Sequence, residues 1–215
     1  MNVLLLSLGA GAVPQFLRDS TGSDPAQLTL AYIDDAAAGM PFAEAERAGI
    51  AGLGPELVTV HARDMAADTL DRVLDGVDAV YVASGETFLL LDALRSNGTG
   101  EVLERRVRAG LPYIGCSAGS IVAGSSVTPA ELMDDRGLAP ALASDAGLGL
   151  VDSVVIPHAD GQLPPYPPQL IADIVARFGE EFPLLLLRDD QALRSGPDGT
   201  GVVVSPRAPE GDPHE

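Results

Sequence analysis

The sequence predicts an α/β fold, a mostly parallel sheet covered by helices on both faces. Three observations predict it. Short apolar runs alternate with stretches of helical spacing along the chain. The apolar runs lack an in–out alternation, so each strand buries both faces, as strands of parallel sheets do. Finally, residues 111–127, LPYIGCSAGSIVAGSSV, read as strand, tight turn and helix with no linker between them. A length of 215 residues suits one domain with a sizeable core. That domain is expected over residues 1–205, with residues 206–215, rich in Pro, Glu and Asp, as a disordered tail.

The elements follow in order. Residues 3–6 are a short apolar strand, Gly9 and Gly11 make a flexible turn, and a helix starts over 13–18. A second strand over 28–33 ends at Asp34 and Asp35, and 42–51 is helical. A third strand over 57–60 ends at His61, and 65–74 has helical spacing with Asp68, Asp71 and Arg72 on its polar side. A fourth strand over 79–83 breaks at Ser84-Gly85-Glu86-Thr87, and helices follow over 88–95 and 101–109. The fifth strand then leads into the Ser117 turn. Further on, a strand over 154–157 ends at His158, 161–168 is proline-rich loop, and 169–178 is helical. A strand over 184–187 ends at Arg188-Asp189-Asp190. Residues 192–194 and 201–204 flank Gly196-Pro197-Asp198-Gly199, a hairpin signature.

Composition narrows the function classes. The formal charge is −18, and all 13 basic residues are arginine. Such a surface repels phosphate backbones and anionic lipid, so nucleic acid and membrane are poor partners. A single cysteine excludes an internal disulfide and CxxC sites. The opening MNVLLLSLGAG has no basic segment and reads as a buried strand rather than a signal peptide. The cytoplasm is the expected compartment. No HExxH or clustered carboxylate pair is present, so neither a metal nor another cofactor is expected.

In parallel sheets ligands bind beyond the carboxyl ends of the strands. Gly115-Cys116-Ser117-Ala118-Gly119 stands at such an end and fits G-x-S-x-G, the nucleophile elbow. Small neighbours let the backbone bend and lift the Ser117 hydroxyl out of the sheet, with the Ala118 amide aimed where an oxyanion would form. A Gly-rich turn with a serine helix cap has the same spelling. A serine nucleophile needs a base and an orienting acid. His214 lies in the tail, and His158, held at a rim by Pro157, is preferred over His61. The candidate acids are Asp190, Asp189, Asp160, Glu131, Asp134 and Asp135. Asp190, between two apolar segments, is preferred, whereas Glu131, Asp134 and Asp135 share their run with Arg136 and read as a solvated loop. Gly85, which lets a backbone amide approach closely, is the second oxyanion candidate. Glu86 and Thr87 are candidate substrate-facing residues, Thr87 also a helix cap. Cys116 as nucleophile is disfavoured, since it points away from the elbow centre.

These motifs resemble a family. GCSAGSIVAG is similar to the GxSAGxxVAG elbow of the S51 serine peptidases, which include peptidase E and the cyanophycinases. ASGETFLLL is similar to the family's GGNTFxLL turn, and VVIPH to its xxINPH. The resemblance implies a class I glutamine amidotransferase-like, three-layer α/β sandwich. It implies Ser117 as nucleophile, His158 as base, Gly85 and Ala118 as oxyanion donors, and an acid matching Asp190. The expected function is hydrolysis of short peptides, with a small peptide as partner and a homodimer as the one assembly entertained. Two departures bear on specificity. Glu86 replaces the family's Asn, and ADGQLPPYPPQLIAD after His158 holds no Arg or Lys. Peptidase E members that cleave Asp-Xaa dipeptides use a basic side chain there, so aspartyl specificity transfers poorly. The alternative is a family member without that activity, which binds a small metabolite or acts on another amide.

Overall fold

In the computed structural model, residues 1–207 are described. Among the described residues, nine strands and seven α-helices largely alternate. The strands are β1 (Val3–Leu6), β2 (Thr29–Ile33), β3 (Glu56–Val60), β4 (Ala79–Val82) and β5 (Tyr113–Cys116), followed by β6 (Val154–Ile156), β7 (Leu184–Leu186), β8 (Gln191–Gly196) and β9 (Gly199–Val204). The helices are α1 (Val13–Thr21), α2 (Ala43–Ala51), α3 (Ala67–Asp75), α4 (Thr87–Ser96), α5 (Thr99–Arg108), α6 (Ala118–Val122) and α7 (Pro168–Phe178).

Seven strands form the main sheet in the order β3-β2-β4-β5-β1-β8-β9. The first five run parallel, while β8 is antiparallel to β1 and β9 to β8. Every residue of β1, β4 and β5 is buried, as strands covered on both faces must be. Their alternate residues feed two cores. Val3, Leu5, Val80, Val82 and Tyr113 pack with α3, α4, α5 and α6. Leu4, Leu6, Ala79, Tyr81, Ile114 and Cys116 pack on the other face with α1 and α2. Each fully buried leucine of β1 contributes about 1.5–3 kcal/mol. The result is the three-layer sandwich expected from the motifs.

Residues 154–156 and 184–186 pair with each other as a separate two-stranded parallel sheet, β6-β7, outside the main one. Ile171, Ile174 and Phe178 of α7 close a small core against Val154 and Ile156. This satellite carries His158 at the end of β6 and presents it to β5. The hairpin forms as expected, with Gly196 paired to Gly199 across a two-residue turn.

The described part of the expected tail is structured. The Pro206 carbonyl accepts from Gly11 N at 2.9 Å, and Arg207 pairs with Asp189. Residues 208–215, including His214, lie outside the described residues.

Candidate active site

Ser117 ends β5 and opens α6, with φ 46° and ψ −105°. A non-glycine residue there is strained, and the neighbouring segments hold it in place. Ser117 N donates to the Leu6 carbonyl at 3.1 Å. Ser120 Oγ donates to the carbonyls of Leu6 at 2.7 Å and Gly115 at 2.9 Å. Gly119 lies so close to β4 that a Cβ would sit 2.1 Å from the Val82 carbonyl oxygen. The small residues of the motif therefore allow α6 to press on the sheet.

His158 also has positive φ, 57°. Its amide donates to Ser7 Oγ at 2.7 Å, which ties the satellite to the end of β1. The ring is held from three sides. Nε2 stands 3.1 Å from Ser117 Oγ, and Nδ1 stands 2.7 Å from Asp189 Oδ1. The Tyr166 ring stacks on the imidazole at 4.9 Å between centroids. With Nδ1–H donating to the carboxylate, Nε2 is left to accept from the Ser117 hydroxyl. Burial lowers the His158 pKa below the ordinary imidazole value, although Asp189 pulls the other way.

The acid on the ring is Asp189, not the expected Asp190. After β7 the chain enters a turn closed by Gln191 N donating to the Arg188 carbonyl at 2.9 Å; Leu187 is buried, Arg188 exposed, Asp189 buried and Asp190 exposed. Asp190 points outward and pairs with Arg188 at 3.2 Å. Asp189 accepts from His158 through Oδ1 and from Arg207 through Oδ2, while its amide donates to Asp160 Oδ2 at 3.3 Å.

Gly85 has φ 134°, and a Cβ there would lie 2.0 Å from the Ala36 carbonyl oxygen, so only glycine fits. Among the described residues, neither the Gly85 nor the Ala118 amide donates a hydrogen bond. The turn before Gly85 is braced by Glu46 of α2, which accepts from Ser84 N at 3.1 Å and from the Tyr81 hydroxyl at 2.8 Å.

Of the two expected substrate-facing residues, Glu86 is partly exposed, and its carboxylate accepts from Asp135 N at 3.4 Å. Thr87 is fully buried as the first residue of α4, so its side chain cannot face a substrate. Nor does it cap that helix. Asp134 does so from outside, accepting from Thr87 N at 3.0 Å. The run 131–135 is thus only partly a solvated loop. Asp135 is exposed and Glu131 pairs with Arg177, but burial pushes the Asp134 carboxyl up to about 6, with Glu86 adding to the shift. Burial, Asp134 and Glu86 together push the Tyr166 phenol up to about 12. Tyr166 carried no motif, and only the folded arrangement stacks it on His158. His61 pairs with Asp34 at 2.9 Å, away from this cluster. Cys116 is buried in the opposite core, and burial raises its thiol pKa well above the ordinary value.

The arrangement can deliver a hydroxyl to an electrophile, take up its proton and hold the resulting imidazolium against a carboxylate. Known proteins with related sequences carry peptidase names. Peptidase E of Streptomyces coelicolor is 40% identical over 132 residues, 59% of this chain and 53% of its own length. Peptidase E of Haemophilus influenzae is 31% identical over 115 residues, 52% of this chain and 49% of its own. The chain spans about half the length of the curated relatives it matches. A crystal structure of a provisionally assigned peptidase E protein from Listeria monocytogenes EGD-e superposes with a TM-score of 0.82. It covers 94% of this chain and 98% of that one at 23% identity, a likeness of fold. A peptidase from an acI-B1 Actinobacterium gives 0.68 at 20% identity, covering 97% and 92%. The sequence profile of peptidase family S51 matches residues 5–201, from β1 into β9 and across all three motifs, and the chain belongs to that family.

Proposed function

We propose that the chain is a serine peptidase that hydrolyses short peptides through Ser117, His158 and Asp189. The observation that carries this reading is the continuous line from Ser117 Oγ to His158 Nε2, 3.1 Å, and from His158 Nδ1 to Asp189 Oδ1, 2.7 Å. Ser117 Oγ bonds to the scissile carbonyl carbon while its proton passes to His158 Nε2. The carbonyl oxygen becomes an oxyanion, met by the amides of Gly85 and Ala118. His158 returns the proton to the leaving amine as the C–N bond breaks, and a water molecule then releases the acyl group by the same route. Asp189 stabilises the imidazolium and fixes its tautomer.

Aspartyl specificity is not part of the reading. Arg136 is engaged by Asp145 at 3.1 Å and by the Ala139 and Leu142 carbonyls, and Arg188 by Asp190. Glu86 and Asp134 leave the rim acidic, so a neutral or basic N-terminal residue is accepted at least as well as aspartate. The lone cysteine, buried and unpaired, fits a reducing compartment, and the cytoplasm is the proposed location. No helix among the described residues is long and apolar enough to cross a membrane.

A fluorophosphonate probe tests the mechanism. Labelling of the wild-type chain at Ser117, lost in Ser117→Ala and in His158→Ala, is expected. A folded wild-type chain that takes no label would turn the reading toward a binding protein without turnover.

A further inference from the structure

Asp189 has two carboxylate oxygens, and the reaction above uses one. Oδ1 faces the His158 ring, and Oδ2 is met by the guanidinium of Arg207. Among the described residues, Arg207 is the only arginine paired with Asp189, beside His158. Its side chain is half exposed, whereas that of Asp189 is almost fully buried. The guanidinium thus reaches a buried carboxylate from the surface.

The backbone that carries Arg207 is anchored on both sides of the site. Ser205 N donates to the Asp190 carbonyl at 2.7 Å. Ser205 Oγ donates to the Gly9 carbonyl at 2.6 Å and accepts from Ala12 N at 3.0 Å. The Pro206 carbonyl accepts from Gly11 N at 2.9 Å. Asp189 in turn accepts from Gly9 N through its own carbonyl at 2.9 Å. Ser205, Pro206 and Asp189 therefore grip the same loop after β1, and Arg207 is delivered to Asp189 by a braced backbone.

We propose that Arg207 is a positioning residue of the catalytic triad, holding the outer oxygen of Asp189 so that the inner oxygen stays on the His158 ring. The proposal rests on the triad reading for its catalytic consequence. An Arg–carboxylate bond is charge-assisted and fixes the carboxylate plane. It also divides the negative charge of Asp189 between two partners. Without Arg207, the carboxylate pulls harder on the imidazole proton. The guanidinium itself opposes protonation of His158, as does burial, whereas Asp189 and Asp160 favour it. The other groups facing the ring are Ser117 and Tyr166, with Asp134 and Glu86 acting on the Tyr166 phenol. None of these changes when Arg207 is replaced. The sign follows: loss of Arg207 raises the pH at which His158 takes up its proton, and so moves the acid limb of the reaction to higher pH.

The test compares the full chain with Arg207→Ala and Arg207→Lys. The protonation midpoint of His158 is read by NMR of its ring protons, which needs no substrate. The rate of fluorophosphonate labelling is read across the same pH range. In Arg207→Ala the NMR midpoint and the acid limb both move up by roughly half a pH unit or more. The plateau labelling rate falls about fivefold, because Asp189 loses its orientation. Arg207→Lys restores the midpoint, since it keeps the charge, but recovers only part of the plateau rate, since it lacks the planar fork. An Arg207→Ala chain with wild-type midpoint and wild-type plateau overturns the proposal. A wild-type chain that takes no label overturns the peptidase reading instead, and the NMR midpoint still decides whether Arg207 governs His158.

Discussion

Asp189 and Asp190 are adjacent, chemically identical and separated in role by the way one turn points them. Asp189 is buried between an imidazole and a guanidinium; Asp190 faces water beside Arg188. Asp189→Asn keeps the side-chain shape but cannot stabilise the imidazolium, so kcat/KM falls on the order of 10³–10⁴-fold. Asp190→Asn breaks a half-exposed ion pair and changes kcat/KM by less than about threefold. Kinetics of the two variants on one dipeptide separate these outcomes, and comparable losses would remove Asp189 from the mechanism. Ser117 and His158 were legible because each sits in a recognisable frame, GCSAG and VVIPH. The acid had no frame: Asp189 and Asp190 share a turn, and only its folded geometry decides which of them faces His158.

At the level of the element, α4 begins against a carboxylate from a distant loop. Asp134 accepts from Thr87 N in a site where burial raises its pKa from 3.8 to about 6. The folded chain therefore holds a proton that the unfolded chain has given up, and stability falls as pH rises between those two values. Asp134→Asn keeps an acceptor for Thr87 N and has no charge to bury. It is expected to raise the melting temperature by a few degrees at pH 8, on the order of 1 kcal/mol, and by less at pH 4. Thermal melts at the two pH values check this, and a larger gain at pH 4 would contradict it. This contact could not be read from the sequence, because nothing local marks a loop aspartate as the cap of a helix that begins 47 residues earlier. The reverse holds for β1, β4 and β5, whose unbroken apolar runs announced their burial on both faces.

Over the whole molecule, charge is the dominant property. A chain at −18 concentrates cationic substrates near its surface and disperses anionic ones, and salt screens both effects. At low ionic strength, kcat/KM is expected to be higher for Arg-Leu and Ala-Leu than for Asp-Leu. The Arg-Leu to Asp-Leu ratio should shrink as salt rises from about 10 mM to 500 mM. A preference for Asp-Leu, or a ratio that grows with salt, would show that local contacts of opposite sign govern selection. The parallel core, the helices on both faces and the hairpin were legible from pattern alone. The separate β6-β7 sheet was not, because strand partnership depends on distant segments that leave no mark in a single apolar run.

The chain order of the site has a consequence for synthesis. Ser117 is made well before Asp189, and β1, the first strand made, lies between β5 and β8. The loop after β1 is secured only when Ser205 and Pro206 reach it, and Arg207 arrives last of all. A chain still emerging from the ribosome thus holds its serine in an unfinished pocket. On the proposed reading, the triad is complete only once Asp189 has been added, and its bracing only once residues 205–207 follow.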